Sequence, residues 1–211
     1  MASRSGRPVI HVLAGVNGAG KSSIGGAAIR ANGGEYFNPD EAARRLRTRD
    51  PRLSVAEANA LAWEAGRAML ERAIAERLAY TFETTLGGDT IVRMLHRAHG
   101  AGLEVRIWFV GLASPELHIA RVRARVKAGG HDIPKATIRA RYDASRLNLI
   151  GLLPVATEVR VYDNSAEADP RAGVAPAPIL MLHTVRGKVR SHCPLDKVPD
   201  WMKPIVAAAL R

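Results

Sequence analysis

The sequence predicts an α/β fold, a parallel sheet with helices on both faces, and three observations predict it. Short runs of almost wholly apolar residues alternate with longer segments whose apolar residues recur at helical spacing, the pattern of βαβ units. Of the 211 residues 47% are hydrophobic but only 5% aromatic, so the core is drawn from Ala, Val, Ile and Leu. A glycine-rich turn joins the first apolar run to the first helix. No repeat, low-complexity tract or Pro/Ser linker divides the chain. Residues 1–211 therefore read as one domain, long enough to bury its own core, and disorder and a coiled coil are poor readings.

The first strand is Val9 to Leu13, apolar enough to be buried on both faces, and a helix from Lys21 to about Ala31 follows. Asn38 as N-cap, Pro39 in the first turn and Glu41 at the third position open a helix to about Thr48. Ser54 and Glu57 repeat the capping box, and Leu70, Ile74 and Leu78 carry one face of a long helix to about Ala79. Tyr80 to Glu83 is a short strand, Asp89 to His99 a helix stopped by Gly100 and Gly102, and Leu103 to Val110 a stronger strand. Ser114 and Pro115 start a helix with an inward stripe of Ile119, Val122 and Val126, ended by Gly129 and Gly130. Pro134 starts its partner, running to about Leu149. Glu158 to Tyr162 and Ile179 to Val185 are the last strands, and Trp201 to Leu210 is a terminal helix. The helix pair of residues 114–149 lies between two strands as an excursion, where a lid would be inserted. The Ala- and Pro-rich segment from Asp169 to Pro178 reads as a surface loop without a role.

Cys193 is the single cysteine, so no internal disulfide forms, and no Cys/His cluster has zinc spacing; a reducing, cytoplasmic setting is expected. Arg4 and Arg7 precede an apolar run, Val9 to Gly15, that is too short for a secretion signal and leads into a better-explained motif. No stretch reaches the ~20 apolar residues that span a bilayer, so no membrane association is expected. Lys and Arg number 31 against 20 acidic residues, a net charge of +11. More than half of that excess lies between Ile119 and Leu147 in Arg121, Arg123, Arg125, Lys127, Lys135, Arg139, Arg141 and Arg146, opposed by Asp132 and Asp143. Such a patch can steer nucleic acid, close over the phosphates of a small nucleotide, or be a solvated helix face. Composition does not separate the three.

Gly15-Val16-Asn17-Gly18-Ala19-Gly20-Lys21-Ser22 fits the phosphate-loop pattern completely, with a buried strand before it and a helix after it. The glycines let successive backbone N–H groups turn inward around a phosphate, and the following helix adds its positive end. Lys21 is expected to reach the β- and γ-phosphates, and the Ser22 hydroxyl to ligate Mg²⁺. A purine nucleoside triphosphate follows, ATP first and GTP as the alternative. Asp40 falls in the first turn of its helix, where the dipole favours a carboxylate; it is the candidate to accept the acceptor's hydroxyl proton, although that position also suits a purely dipole-complementing acid. Glu83 falls at the end of a parallel strand, the edge where α/β sheets bind ligands.

Together GVNGAGKSS, FNPDE, FETTL, RVRARVKAGGHDIP, IRARY and YDNS, in order from residue 15 to residue 165, resemble the zeta-toxin-like family of P-loop kinases, which phosphorylate UDP-N-acetylglucosamine. The resemblance implies a P-loop kinase fold with a five-stranded parallel core and a mobile, arginine-rich helical lid. It implies that Gly15 through Ser23 cradle ATP, that Asp40 is the base, that Glu83 and Thr85 bind the acceptor, and that Arg125 and Arg141 bracket the transferring phosphate. Asp163 and Asn164 would edge the adenine pocket, and an antitoxin protein would be a partner. His131, within the lid motif, reads as a turn or capping residue. One departure is that Gly87 and Gly88 follow the Glu-x-Thr-Leu segment, where the sugar-nucleotide kinases carry an arginine. The expected activity is ATP- and Mg²⁺-dependent phosphoryl transfer to a small-molecule hydroxyl. A polynucleotide kinase or nucleic-acid-binding NTPase, motivated by the charge, and a nucleotide-dependent switch with little turnover stay open.

Overall fold

A computed structural model describes residues 6–130, 132–166 and 178–211. Strands β1 (Val9–Ala14), β2 (Tyr80–Thr84), β3 (Glu104–Gly111), β4 (Glu158–Asp163), β5 (Ile179–Val185) and β6 (Lys188–His192) form one sheet in the order β2-β1-β3-β4-β5-β6. β1 pairs in parallel with β2 on one side and β3 on the other, and β4 extends β3 in parallel. The chain therefore reverses its direction of travel across the sheet at β1, and in such sheets ligands bind in the crevice beyond the strand ends at that point.

The parallel part has four strands rather than five, because β5 and β6 run antiparallel to their neighbours. β6 carries no apolar alternation; most of its residues are exposed, and it forms the charged edge of the sheet. Its sequence therefore gives no strand signal. Seven α-helices accompany the described strands: α1 (Ala27–Ala31), α2 (Pro39–Arg49), α3 (Val55–Ala75), α4 (Asp89–Gly100), α5 (Pro115–Lys127), α6 (Lys135–Leu152) and α7 (Lys203–Ala209). α3 stops short of Leu78, because Arg77 takes a left-handed backbone (φ 55°), and Leu78 is exposed rather than on the buried stripe. The expected helix from Lys21 begins as a π-helical turn, Ser22–Gly26, before α1.

Helices lie on both faces, unequally. One buried cluster joins Ile10, Val12, Ile107, Phe109, Val159 and Val161 of the sheet to Leu70 of α3, Leu95 of α4, Leu149 of α6 and Ile205 of α7. On the opposite face Gly25 packs on Leu13, while His11, Arg106, Trp108, Arg160 and His183 stay partly exposed. A second cluster, Val16, Ile119, Val122 and Ile138, fastens the loop after β1 to α5 and α6. A third, Ala43, Ala58 and Ala62, holds α2 on α3. No described helix is long and apolar enough to cross a membrane.

The C-terminal segment seats Trp201 against the sheet, its indole stacked on Phe109 with ring centroids 6.4 Å apart. Gly111 makes the room, since a Cβ there would lie 2.3 Å from the indole. Gly111→Ala is expected to lower stability by about 1–3 kcal/mol through overpacking, read as a lower urea midpoint with an unchanged slope.

Candidate active site

The loop between β1 and Ser22 turns back over the strand ends because Gly15 lies directly against β3. A Cβ on Gly15 would fall 2.1 Å from the Val110 carbonyl oxygen, and its φ of 137° suits glycine alone. Ala19 N–H bonds to the Val16 carbonyl at 3.1 Å, closing the turn. Asn164, after β4, is buried and donates its Nδ2 to the Ala19 carbonyl at 2.8 Å. Asn164 is thus a brace under the loop as well as a lining residue of the cleft above it.

Four side chains meet at the mouth of the loop. Lys21 Nζ lies 3.4 Å from Glu83 Oε1, with both side chains nearly buried. Ser22 Oγ donates to Glu83 Oε2 at 2.8 Å, and Asn38 Nδ2 lies 3.3 Å from both Glu83 Oε2 and Ser22 Oγ. Asn38 is also the N-cap of α2, its Oδ1 accepting from Asp40 N and Glu41 N. Glu83, expected from the resemblance to face the acceptor, therefore sits on the loop lysine and serine. A serine hydroxyl and a carboxylate converging on one point are hard oxygen donors of the kind Mg²⁺ takes alongside phosphate and water. Asp163 is engaged elsewhere: its Oδ1 accepts from Ser165 N and Ser165 Oγ in the turn after β4.

Across the cleft, α5 and α6 bring in the basic side chains. Arg125 Nη1 lies 3.6 Å from Asp40 Oδ2, and Arg141 Nη1 donates to Asn17 Oδ1 at 2.8 Å. Burial draws the Arg141 guanidinium below its ordinary pKa, with the Asp40 charge opposing the shift. The two arginines singled out in the sequence thus face the loop and the candidate base, whereas Arg121 donates to the Ala166 carbonyl. Arg139 and Arg146 form ion pairs with Glu116 and Asp143, so part of the basic patch is ordinary helix-surface charge. Thr85 is held in the turn after β2: its Oγ1 accepts from Gly87 N, and its carbonyl accepts from Ser145 Oγ of α6 at 2.7 Å. At Gly87, which follows the Glu-x-Thr-Leu segment, a Cβ would fall 2.6 Å from Arg141 Cγ. The stem of Arg141 occupies that space.

These groups line one cleft of about 1210 Å³ that reaches from the loop and Ser23, past Asp40 and Thr85, to the flanks of α2 and α3. His131 and most of the Asp169 to Pro178 segment lie outside the described residues.

A contributor that the sequence does not flag is His118. It is 1% exposed on α5, and its Nδ1 lies 2.9 Å from the Asn17 carbonyl. Its ring also meets Tyr142 of α6 edge-on, with centroids 5.7 Å apart. A carbonyl only accepts, so Nδ1 carries the proton in this bond. Burial holds its pKa down to about 4 from an ordinary 6.5; the bond to Asn17 opposes the shift, and Lys21 and Arg121 reinforce it. A lone histidine beside an apolar helical stripe carries no sequence signal of this role. Its folded pKa is depressed, so its contribution to stability is fully present above pH 6.5 and is lost as pH falls to about 4. The span corresponds to roughly 3 kcal/mol. In urea titrations between pH 7 and pH 4, His118→Phe is expected to flatten the stability slope across that window relative to the wild type.

The comparisons with known proteins agree with this fold. An uncharacterized protein of Haemophilus influenzae is 30% identical over 131 residues, 61% of this chain and 88% of that protein. Among solved structures, the AvrRxo1-ORF1:ORF2 complex with ATP aligns over 96% of this chain with a TM-score of 0.64 at 13% identity. This chain spans 64% of that protein's length, and 62% in the form with sulphate ions. The PezAT toxin-antitoxin system of Streptococcus pneumoniae aligns over 83% of this chain and 76% of its own, with a TM-score of 0.56 at 18% identity. These likenesses establish the fold, an α/β domain with a mostly parallel sheet of the P-loop kinase-like type. The AAA domain model matches residues 10–145, more than half of the sequence, and the chain belongs to the AAA domain family.

Proposed function

We propose that this chain is an ATP- and Mg²⁺-dependent kinase that phosphorylates a hydroxyl of a small molecule, with UDP-N-acetylglucosamine the leading acceptor. The observation that carries the reading is the convergence on one cleft of the phosphate loop, the Asp40 carboxylate and the Arg125 and Arg141 guanidiniums. Likeness to a putative kinase of Chloroflexus aurantiacus, with a TM-score of 0.55, supports it.

The backbone amides from Gly15 to Gly20 and the Lys21 ammonium hold the β- and γ-phosphates, which requires Lys21 to exchange Glu83 for phosphate oxygens. Ser22 and Glu83 would hold Mg²⁺, which when bound neutralises charge on the phosphates. Asp40 accepts the proton of the acceptor hydroxyl. That oxygen forms a bond to the γ-phosphorus as the bond to the bridging oxygen breaks, and ADP leaves with the electron pair. Negative charge spreads over the three equatorial oxygens meanwhile, where Arg125 and Arg141 stabilise it. α5 and α6 act as the lid, and an antitoxin would inhibit by occupying this cleft.

The polynucleotide reading keeps one observation in its favour, the +11 charge. Coupled ADP release with nucleotide sugars and with a random oligonucleotide separates the two readings. The sugar nucleotide is expected to turn over and the oligonucleotide to stay at background; the reverse overturns the acceptor assignment. Asp40→Ala is expected to lower kcat by about 10²- to 10⁴-fold, the usual worth of a general base, and equal turnover removes Asp40 from the mechanism. Glu83→Gln is expected to raise the Mg²⁺ concentration needed for half-maximal rate at least tenfold, measured by titrating magnesium at fixed ATP.

A further inference from the structure

The far end of the cleft, away from the phosphate loop, has features that phosphate transfer by itself does not use. On α3, Asn59, Trp63 and Arg67 recur every four residues, which places them on one stripe beside the buried stripe of Ala58, Ala62 and Leu70. All three line the cleft. Trp63 is 43% exposed, and it is the single aromatic among the exposed large hydrophobic side chains of the described residues. In a chain with 5% aromatics, an indole left open inside a cleft that also holds guanidiniums is best explained by a ring that covers it.

α3 is brought to this place by contact. A Cβ at Gly66 would lie 2.6 Å from the Phe37 ring, and Phe37 is bonded to β2 through its backbone at Thr81 and Glu83. The α3 stripe is thereby held beside the N-terminal turn of α2, where Asp40 sits. Arg44 lies one turn beyond Asp40 and lines the same cleft. Arg67 is paired with Glu64 at 2.9 Å in an exposed position, a pairing weak enough to be exchanged for a ligand anion. The part of the cleft lined by α2 and α3 thus combines an open aromatic face with two guanidiniums.

We infer that Trp63 and the Arg44 and Arg67 guanidiniums are the specificity-determining residues of the acceptor subsite, Trp63 stacking on a planar base and the arginines binding the phosphate attached to it. The inference rests on the kinase reading above and deepens it. The stripe selects a phosphorylated, base-bearing acceptor over a neutral sugar or polyol and leaves the acceptor's free hydroxyl on the Asp40 side. Arginine suits the anion because its planar fork binds phosphate bidentately, and indole–base stacking tolerates a range of bases.

The test is calorimetric titration of the full chain saturated with Mg²⁺ and a non-hydrolysable ATP analogue, so that probes report the acceptor side alone. The probes are UMP, uridine, ribose 5-phosphate and glucose. UMP is expected to bind tightest and glucose not at all. Trp63→Leu is expected to weaken UMP and uridine about tenfold or more while ribose 5-phosphate is unchanged, and Trp63→Phe to restore most of the loss. Arg67→Gln is expected to weaken UMP and ribose 5-phosphate and spare uridine. Trp63 is exposed, so an unchanged melting temperature identifies folded variants. Equal UMP affinity in wild type and Trp63→Leu overturns the proposal, as does glucose binding as tightly as UMP; in either case binding of the ATP analogue leaves the kinase reading standing. Failure of the analogue itself to bind overturns the kinase reading and this subsite with it.

Discussion

The site depends on a steric constraint of a few ångströms: the backbone of Gly15 rests on the Val110 carbonyl with no room for a side chain. β1 is an interior strand with parallel neighbours on both sides, so the loop that leaves it emerges beside the end of β3. Contact with β3 fixes where the loop turns, and the small cluster around Val16 fixes which helices it touches. α5 and α6 are then obliged to lie over the loop. That placement brings Arg141 onto Asn17 and Arg125 opposite Asp40, although neither arginine is near the loop in sequence.

Charge follows from that packing. The loop lysine and Glu83 neutralise one another at low exposure, a pair that is costly to bury unless further hydrogen bonds complete it. Ser22 and Asn38 supply them. The pair keeps the Lys21 ammonium at the mouth of the loop. His118 solves a neighbouring problem by staying neutral, so it braces the Asn17 carbonyl without adding a positive charge beside Lys21.

The parts legible in the sequence are those written in local chemistry. The phosphate loop, the Asn38 cap and the Ser54 capping box depend on residues within a few positions of one another, and β1 and β3 are largely apolar runs. The resemblance added the order of the distant motifs. What escaped depends on tertiary proximity. β6 is a charged edge with no alternation, so only its pairing with β5 marks it as a strand. The end of α3 is set by a left-handed Arg77, which a stripe of leucines does not reveal. Glu83 is legible as a strand-end acid, but its contact with Ser22 arises from the register of β2 on β1. His118 looks like an ordinary helix residue until its contact with the Asn17 carbonyl is known, and Trp63 until the cleft it lines is known.

Asn38 carries a consequence beyond its contacts. Its oxygen secures the first turn of α2, while its nitrogen reaches the carboxylate and hydroxyl that meet at the loop. One small amide is therefore shared between the fraying of a helix end and the arrangement of oxygen donors a helix away. The first turn of α2, which presents Asp40, and the oxygen donors at the mouth of the loop are thereby tied through a single side chain.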